Sequence, residues 1–317
     1  MQPRPHSKKL PVLLLTGFLG SGKTTLLNAL LADGIKTAVI INEFGETPID
    51  HALLKRQDLP MTVLSGGCLC CQIKGALTPT LKNLWMAWNQ ASIKPFERII
   101  IETSGVASPE PILDTLLRER WVSGHYQLQK VITTVSALSA ADQLARYAEA
   151  QSQVAWSDLI LLTHADQTDA ATVLALNTTL TTLAPSTPTQ RLPFPYGLAD
   201  LAPSSNPRFR PLPKPLPADP DRFRSVSLIL QAGVTLARVE SALQAVLQQH
   251  GHCILRIKAL IHDTSQNRFF ALHAADGRLY PAAALNTVAT DNRLVVIVDS
   301  ALDDITDDLK RMLSDLI

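Results

Sequence analysis

Residues 12–31 read V-L-L-L-T-G-F-L-G-S-G-K-T-T-L-L-N-A-L-L: an apolar run, a glycine-studded turn, a lysine with two threonines, and a helix-prone stretch. Within it, Gly17 to Thr24 carry two glycines separated by four residues, then lysine and a hydroxyl residue, which is the phosphate-binding loop pattern. The context is what that chemistry needs. A buried strand, Val12 to Leu15, fixes the loop, and glycines let the backbone curl. Successive N–H groups at the start of a helix from Thr24 to Leu31 then point at anionic oxygens. Lys23 is expected to reach the outer phosphates, and Thr24 to place its hydroxyl on Mg²⁺.

Outward from this loop, runs rich in Val, Ile and Leu recur at Thr37 to Asn42, Arg98 to Glu102, Lys130 to Val135 and Asp158 to Leu162. Between them, Pro109 to Arg120 and Leu138 to Gln151 have helical spacing with polar faces. Strands apolar on both faces, alternating with helices, predict an α/β fold: a P-loop domain with a mostly parallel sheet flanked by helices. The composition then changes, with nine prolines at positions 193, 195, 203, 207, 211, 213, 215, 217 and 220. Prolines this dense neither continue a helix nor sit inside a sheet, so a semi-extended linker is expected. Beyond it, Arg224 to Leu230, Cys253 to Ile261, Arg268 to His273 and Leu294 to Val298 read as strands. Leu236 to Gln249 and Leu302 to Leu316 read as helices, which together predict a smaller α+β domain. The expected organisation is a flexible tail over 1–9, a P-loop domain over 10–192, a linker over 193–221 and a C-terminal domain over 222–317.

The chain has 317 residues, 46% of them hydrophobic, enough for two cores. A formal net charge of +1 gives no electrostatic reason to expect nucleic acid or an anionic membrane as partner. No run of eighteen apolar residues predicts a bilayer span. Arg4, Lys8 and Lys9 ahead of the apolar run imitate a secretion signal, but cleavage there would destroy the loop, so a cytoplasmic location is expected. Of the four cysteines, three fall in the stretch G-C-L-C-C, Gly67 to Cys71. Such spacing in a reduced compartment reads as metal ligation before disulfide bonding.

Several other residues carry chemistry. The segment I-I-I-E-T-S-G, Ile99 to Gly105, is a strand ending in an acid, which beside a P-loop places Glu102 near Mg²⁺ and lets the Gly105 N–H sense the outer phosphate. N-E-F-G-E, Asn42 to Glu46, is a second switch-loop candidate whose carboxylates approach Mg²⁺ or orient water. After the strand Asp158 to Leu162 comes T-H-A-D, where Thr163 and Asp166 suit a nucleobase site. The Asp166 carboxylate can accept two hydrogen bonds from guanine, which adenine does not supply. Taken alone, T-x-x-D is also a helix-start signature. Cys68, Cys70 and Cys71 can converge on one soft or borderline ion, Zn²⁺ first with Cu⁺, Co²⁺ or Ni²⁺ as alternatives. A fourth position is left to Glu46, His51, water or a client's group. His250, His252 and Cys253 form another small group at a helix–strand junction and read as structural.

With these motifs in order, the sequence resembles the CobW-type metallochaperone GTPases, relatives of the nickel-insertion GTPases of urease and hydrogenase maturation. The resemblance implies GTP and GDP as ligands, Mg²⁺ as cofactor, and zinc or cobalt on Cys68, Cys70 and Cys71. It implies phosphate contacts from Gly17, Phe18, Leu19, Gly20, Ser21, Gly22, Lys23, Thr24 and Thr25, and Mg²⁺ at Thr24 with Glu102 nearby. Slow hydrolysis would rest on Lys23 and Mg²⁺, with Glu43, Glu46 or Gly105 positioning water. The implied partner is a client metalloprotein, and a homodimer is compatible. The chain departs from the family pattern in having His164 where relatives usually place lysine, and its interdomain stretch, histidine-rich in some relatives, is proline-rich. Two other classes remain open at this point: a regulatory GTPase with structural zinc acting through partner recognition, and a small-molecule kinase or ATPase, which Asp166 disfavours.

Overall fold

A computed structural model of the chain describes residues 9–44, 61–66, 71–185, 187–191, 222–275, 277–285, 292–303 and 305–317. Residues 1–8 of the expected tail 1–9 and the expected linker 193–221 lie outside the described residues, as do Glu46, His51, Cys68 and Cys70. The chain divides into two compact units.

The first unit runs β1 (Leu10–Thr16), α1 (Lys23–Leu31), β2 (Thr37–Phe44), β3 (Met61–Gly66), α2 (Cys71–Gln90), β4 (Arg98–Glu102), α3 (Glu110–Arg118), α4 (Arg120–His125), β5 (Tyr126–Ser136), α5 (Ala140–Arg146), α6 (Ala148–Ala155), β6 (Leu159–Thr163), α7 (Ala170–Leu183) and β7 (Thr189–Arg191). Its seven-stranded sheet has the order β3-β2-β4-β1-β5-β6-β7. The pairs β2–β4, β4–β1, β1–β5, β5–β6 and β6–β7 are all parallel. β4 and β6 are buried at every residue, which is why their sequences are apolar throughout rather than alternating. Val12 and Leu14 of β1, Ile99 and Ile101 of β4, and Leu77 and Leu81 of α2 share one core. The buried Arg98 guanidinium clamps the end of α1 to the sheet, pairing with Asp33 at 2.8 Å and donating to Leu30 O at 2.7 Å and Thr37 Oγ1 at 2.8 Å.

Two helices expected from periodicity are each broken in two. The stretch from Pro109 to Arg120 stops at Glu119, whose φ and ψ of −69° and 116° are extended, and a new helix begins at Arg120. Tyr147, with φ and ψ of −119° and 120°, likewise splits Leu138 to Gln151 into α5 and α6. Its ring is then free to stack on Phe18 of the P-loop, centroids 4.7 Å apart.

The second unit contains β8 (Phe223–Ile229), α8 (Leu236–His250), β9 (Ile254–Asp263), β10 (Arg268–Ala275), β11 (Arg278–Leu279), β12 (Ala283–Leu285), β13 (Arg293–Asp299) and α9 (Thr306–Met312). Its sheet is antiparallel, in the order β11-β10-β9-β13-β8, with β12 also on β10. Edge strand β8 alternates between buried and open positions, as one covered face requires. Val239, Leu243 and Val246 of α8 pack on Ile257, Val296 and Val298. Each such aliphatic side chain stabilises the unit by about 2 kcal/mol. The helix expected over Leu302 to Leu316 is shorter, because Leu302 and Ala301 first close a turn on Asp299, and α9 starts only at Thr306. Among the described residues, no helix is long and apolar enough to cross a membrane.

Candidate functional site

The parallel register sets the site. Glu102 at the end of β4 is level with Leu15 of β1 and Ile41 of β2, and Thr16 is level with Thr133 of β5. The carboxyl ends of β1, β2, β4, β5 and β6 therefore form one edge, where open α/β sheets bind ligands.

The loop 17–22 rises from that edge. Gly17, Gly20 and Gly22 have φ of 139°, 77° and 91°, a region that other residues adopt only under strain. A Cβ on Gly17 would stand 2.4 Å from the Thr134 carbonyl oxygen and 2.7 Å from Ser21 Oγ, so glycine is also a spatial requirement there. Gly22 is the N-cap of α1 and provides no side-chain cap. A helix start of this kind offers its first amides to a ligand or solvent, which suits an anion. Polar residues hold the loop from behind: Ser21 Oγ is 2.7 Å from Thr134 Oγ1, Thr163 Oγ1 donates to Ser21 O at 3.0 Å, and Gln143 Nε2 donates to Leu19 O at 3.3 Å. Lys23 is 4% exposed, and its ammonium donates to Gly17 O at 2.7 Å and Phe18 O at 3.0 Å.

Thr24 Oγ1 donates to Glu102 Oε1 at 3.1 Å, linking the first turn of α1 to the end of β4. Glu102 is 3% exposed, so the acid expected at a strand end is not solvated surface. A Cβ on Gly105 would lie 2.5 Å from Leu19 Cδ2 and 2.9 Å from Leu19 N, so the segment after Glu102 presses directly against the loop. Gln153 Nε2 fixes that segment by donating to Gly105 O at 3.1 Å and Ala107 O at 3.0 Å. Asn42, one residue beyond the partner of Glu102, is buried, and its Nδ2 has no hydrogen-bond partner among the described residues.

Thr163 touches the loop, whereas Asp166 is exposed in the turn after β6. The N-cap of α7 is Asp169, whose Oδ1 accepts from Thr172 N at 2.8 Å, so Asp166 is not spent on capping. The backbone amide of Thr172 and then its hydroxyl hold the Asp169 carboxyl below its usual value. His164 has φ 54°, and its Nδ1 lies 3.0 Å from Ser136 Oγ and 3.2 Å from Thr163 Oγ1. Cys71 opens α2, and Glu43 lies near the end of β2. Motif reading missed Thr134, Gln143 and Gln153. The signal available for the first was the pair Thr133-Thr134 inside an otherwise apolar strand.

A glycine-lined anion cradle with a hydroxyl–carboxylate pair at its mouth is the geometry of a nucleotide domain. Residues 11–190 match the nucleotide-binding domain of CobW/HypB/UreG. The chain belongs to the CobW/HypB/UreG family. Residues 223–316 further match the cobalamin synthesis protein cobW C-terminal domain, in the second unit. Zinc chaperone YjiA of Escherichia coli (strain K12) is 41% identical over 159 residues, 50% of this chain and 50% of that protein. Zinc chaperone CobW of Pseudomonas aeruginosa is 33% identical over 214 residues, 53% of this chain and 55% of its own. The CobW-family chain thus spans about half the length of these relatives. The crystal structure of Zn(II)-bound YjiA GTPase from E. coli is 25% identical and covers 98% of this chain and 100% of that one, with a TM-score of 0.46.

Proposed function

We propose that this chain binds GTP with Mg²⁺, hydrolyses it to GDP and phosphate, and couples the nucleotide state to the binding and transfer of a transition metal, zinc. The observation that carries the reading is the Thr24–Glu102 contact at 3.1 Å beside the glycine cradle. Two hard oxygens from different elements meet where Mg²⁺ is held in P-loop proteins, and the donor set fits that ion. When bound, Mg²⁺ neutralises charge on the β- and γ-phosphates. The chain's own contribution is an ammonium at Lys23, amides of the loop, and a packed Gly105 segment whose N–H follows the outer phosphate. Water attacks the γ-phosphorus as the bond to GDP breaks, with Glu43 the nearest motif carboxylate in sequence to orient it. Asp166, released from capping, selects guanine, and His164, tethered by Ser136, forms a flat shelf for the base. Cys68, Cys70 and Cys71 hold the cargo ion. Cys71 opens α2, so a change in the switch loops reaches the thiolates through a helix start. The names of the relatives, zinc chaperones both, support zinc as cargo.

The test is Zn²⁺ affinity by chelator competition, in reducing buffer, on nucleotide-free, Mg²⁺–GDP and Mg²⁺–GTP-analogue forms. A difference of about tenfold or more, about 1.4 kcal/mol of coupling, is expected. Three equal affinities would overturn the coupling and leave zinc as a structural clamp in a regulatory GTPase.

A further inference from the structure

The second unit carries a cluster that the nucleotide chemistry does not use. α8 ends at His250, and the turn through Gly251 and His252 leads to Cys253 just before β9. That turn is tight: Cys253 N donates to His250 O at 3.1 Å, and Cys253 Sγ approaches the same oxygen at 3.3 Å. From the far side, the turn after β13 presents Asp303, whose N–H closes on Asp299 O at 3.5 Å. One ligand atom each from His250, Cys253 and Asp303 lies within 4.8 Å of the other two. The sequence trio is thereby rearranged, since Asp303, fifty residues further along the chain, takes the place His252 held in it.

An independent observation points to a ligand. His250 is only 6% exposed, and its Nε2 is buried without a hydrogen-bond partner among the described residues. Asp308 Oδ2 stands 3.9 Å away, beyond hydrogen-bond reach, and the other oxygen of that carboxylate, Oδ1, accepts from Arg311 at 2.6 Å. A buried polar atom left this way is costly, and a ligand would relieve it. We propose that His250, Cys253 and Asp303 form a metal site in the second unit that takes a borderline divalent transition cation, Zn²⁺ foremost.

The donor chemistry selects that class. One imidazole, one thiolate and one carboxylate suit Zn²⁺ or Co²⁺ rather than Mg²⁺ or Ca²⁺, which prefer oxygen throughout. Bond lengths of about 2.0–2.3 Å put tetrahedral ligand atoms about 3.3–3.8 Å apart, so closing the cluster needs about 1 Å of adjustment. Asp303 is exposed and supplies that movement, along with a route for the ion. Three protein ligands leave a fourth position to water, which makes the site exchangeable rather than closed. Burial first, then the charge of Asp303, pushes the Cys253 thiol above its ordinary value, so the metal-free group is protonated. On binding, the S–H bond breaks, the proton goes to solvent, and an S–metal bond forms with no change of oxidation state. The site stands apart from the GTP-dependent chaperone reading: its donors all lie in the second unit, and either proposal can fail alone.

The test uses the full chain with Cys68, Cys70 and Cys71 replaced by serine, which leaves Cys253 as the sole thiol among four cysteines. Titration with Co²⁺ in phosphine-reduced buffer should give a thiolate-to-metal charge-transfer band that saturates at about one equivalent, with about one proton released per ion. Zn²⁺ should displace the cobalt. A further Cys253→Ser change should abolish the band, and His250→Gln should weaken affinity about tenfold or more. No band at stoichiometric Co²⁺, or a band indifferent to His250→Gln and Asp303→Ala, would overturn the site. Circular dichroism monitors folding. Should a buried substitution unfold the unit, Asp303→Ala at its exposed position decides: undiminished affinity rejects the ligand set.

Discussion

The two units bury polar groups to different ends. In the first, Ser21, Lys23, Glu102, Thr134 and Thr163 gather at one edge of the sheet and hold a loop in an open, positive-φ path. In the second, buried polar groups mostly close on their own chain. Asp299 accepts three hydrogen bonds from Arg222 at 2.8–3.0 Å, Asp263 binds the start of α8 through Leu236 N at 2.9 Å, and Asn292 bridges Gln231 and His262. Polarity that terminates within the fold stabilises turns, whereas polarity arranged behind a strained loop preserves a concave shape for a ligand. The cluster at His250 departs from that rule, since among the described residues Nε2 there, like Ser225 Oγ on β8, has no hydrogen-bond partner.

The contrast breaks most readily at Gly17. Replacing it with alanine puts a Cβ 2.4 Å from the Thr134 carbonyl at a φ of 139°. Titration with a fluorescent guanine nucleotide should show affinity lowered about 100-fold or more, as strain of about 3 kcal/mol collapses the cradle. Undiminished affinity would show that the loop is not the ligand site. Asp299→Ala tests the opposite kind of burial. It removes the carboxylate to which the Arg222 guanidinium, 19% exposed and so partly solvated, donates. A loss of about 2–3 kcal/mol in denaturant unfolding of the second unit is expected, with nucleotide affinity unchanged. An effect on nucleotide binding as large as that of Gly17→Ala would erase the division of roles.

The smallest effect is in acid. The Ser265 hydroxyl first, then the Leu236 amide, lower the Asp263 carboxyl to about 2. Its unfolded value is about 3.9, so the folded state binds the proton less readily than the unfolded state. The resulting stabilisation is complete above about pH 4 and is lost as pH falls toward about 2. Unfolding midpoints across that window should fall for the parent chain and change less for Asp263→Asn. Parallel curves would remove Asp263 as the group responsible.

Much of the first unit was legible because its signals are local. β4 spans Arg98 to Glu102 as its apolar run indicated, and the P-loop declares itself because its path needs glycine at fixed positions. β3 and α2 escaped notice. They flank the cysteine motif, and α2 carries Pro79 within it, so periodicity there competes with a breaker. Helix ends near Tyr147 and Ile305 were misread because the deciding contacts, a ring stack on Phe18 and a turn on Asp299, involve residues remote in sequence or a local turn that periodicity does not report. Spacing alone did not separate a base-reading Asp166 from a helix-start signature. The hydrogen bond from Thr172 N to Asp169 does, since it makes Asp169 the cap.

By itself, then, the sequence determined the α/β class, the phosphate loop, the acid at the end of β4 and the family, since each depends on which residues a short backbone path tolerates. Only the tertiary structure decided which polar groups meet. Ser21 reaches Thr134 across 113 positions, Thr24 reaches Glu102 across 78, and Asp303 closes on His250 and Cys253. Those meetings follow from strand register and turn geometry, which set distances between residues that no local pattern connects.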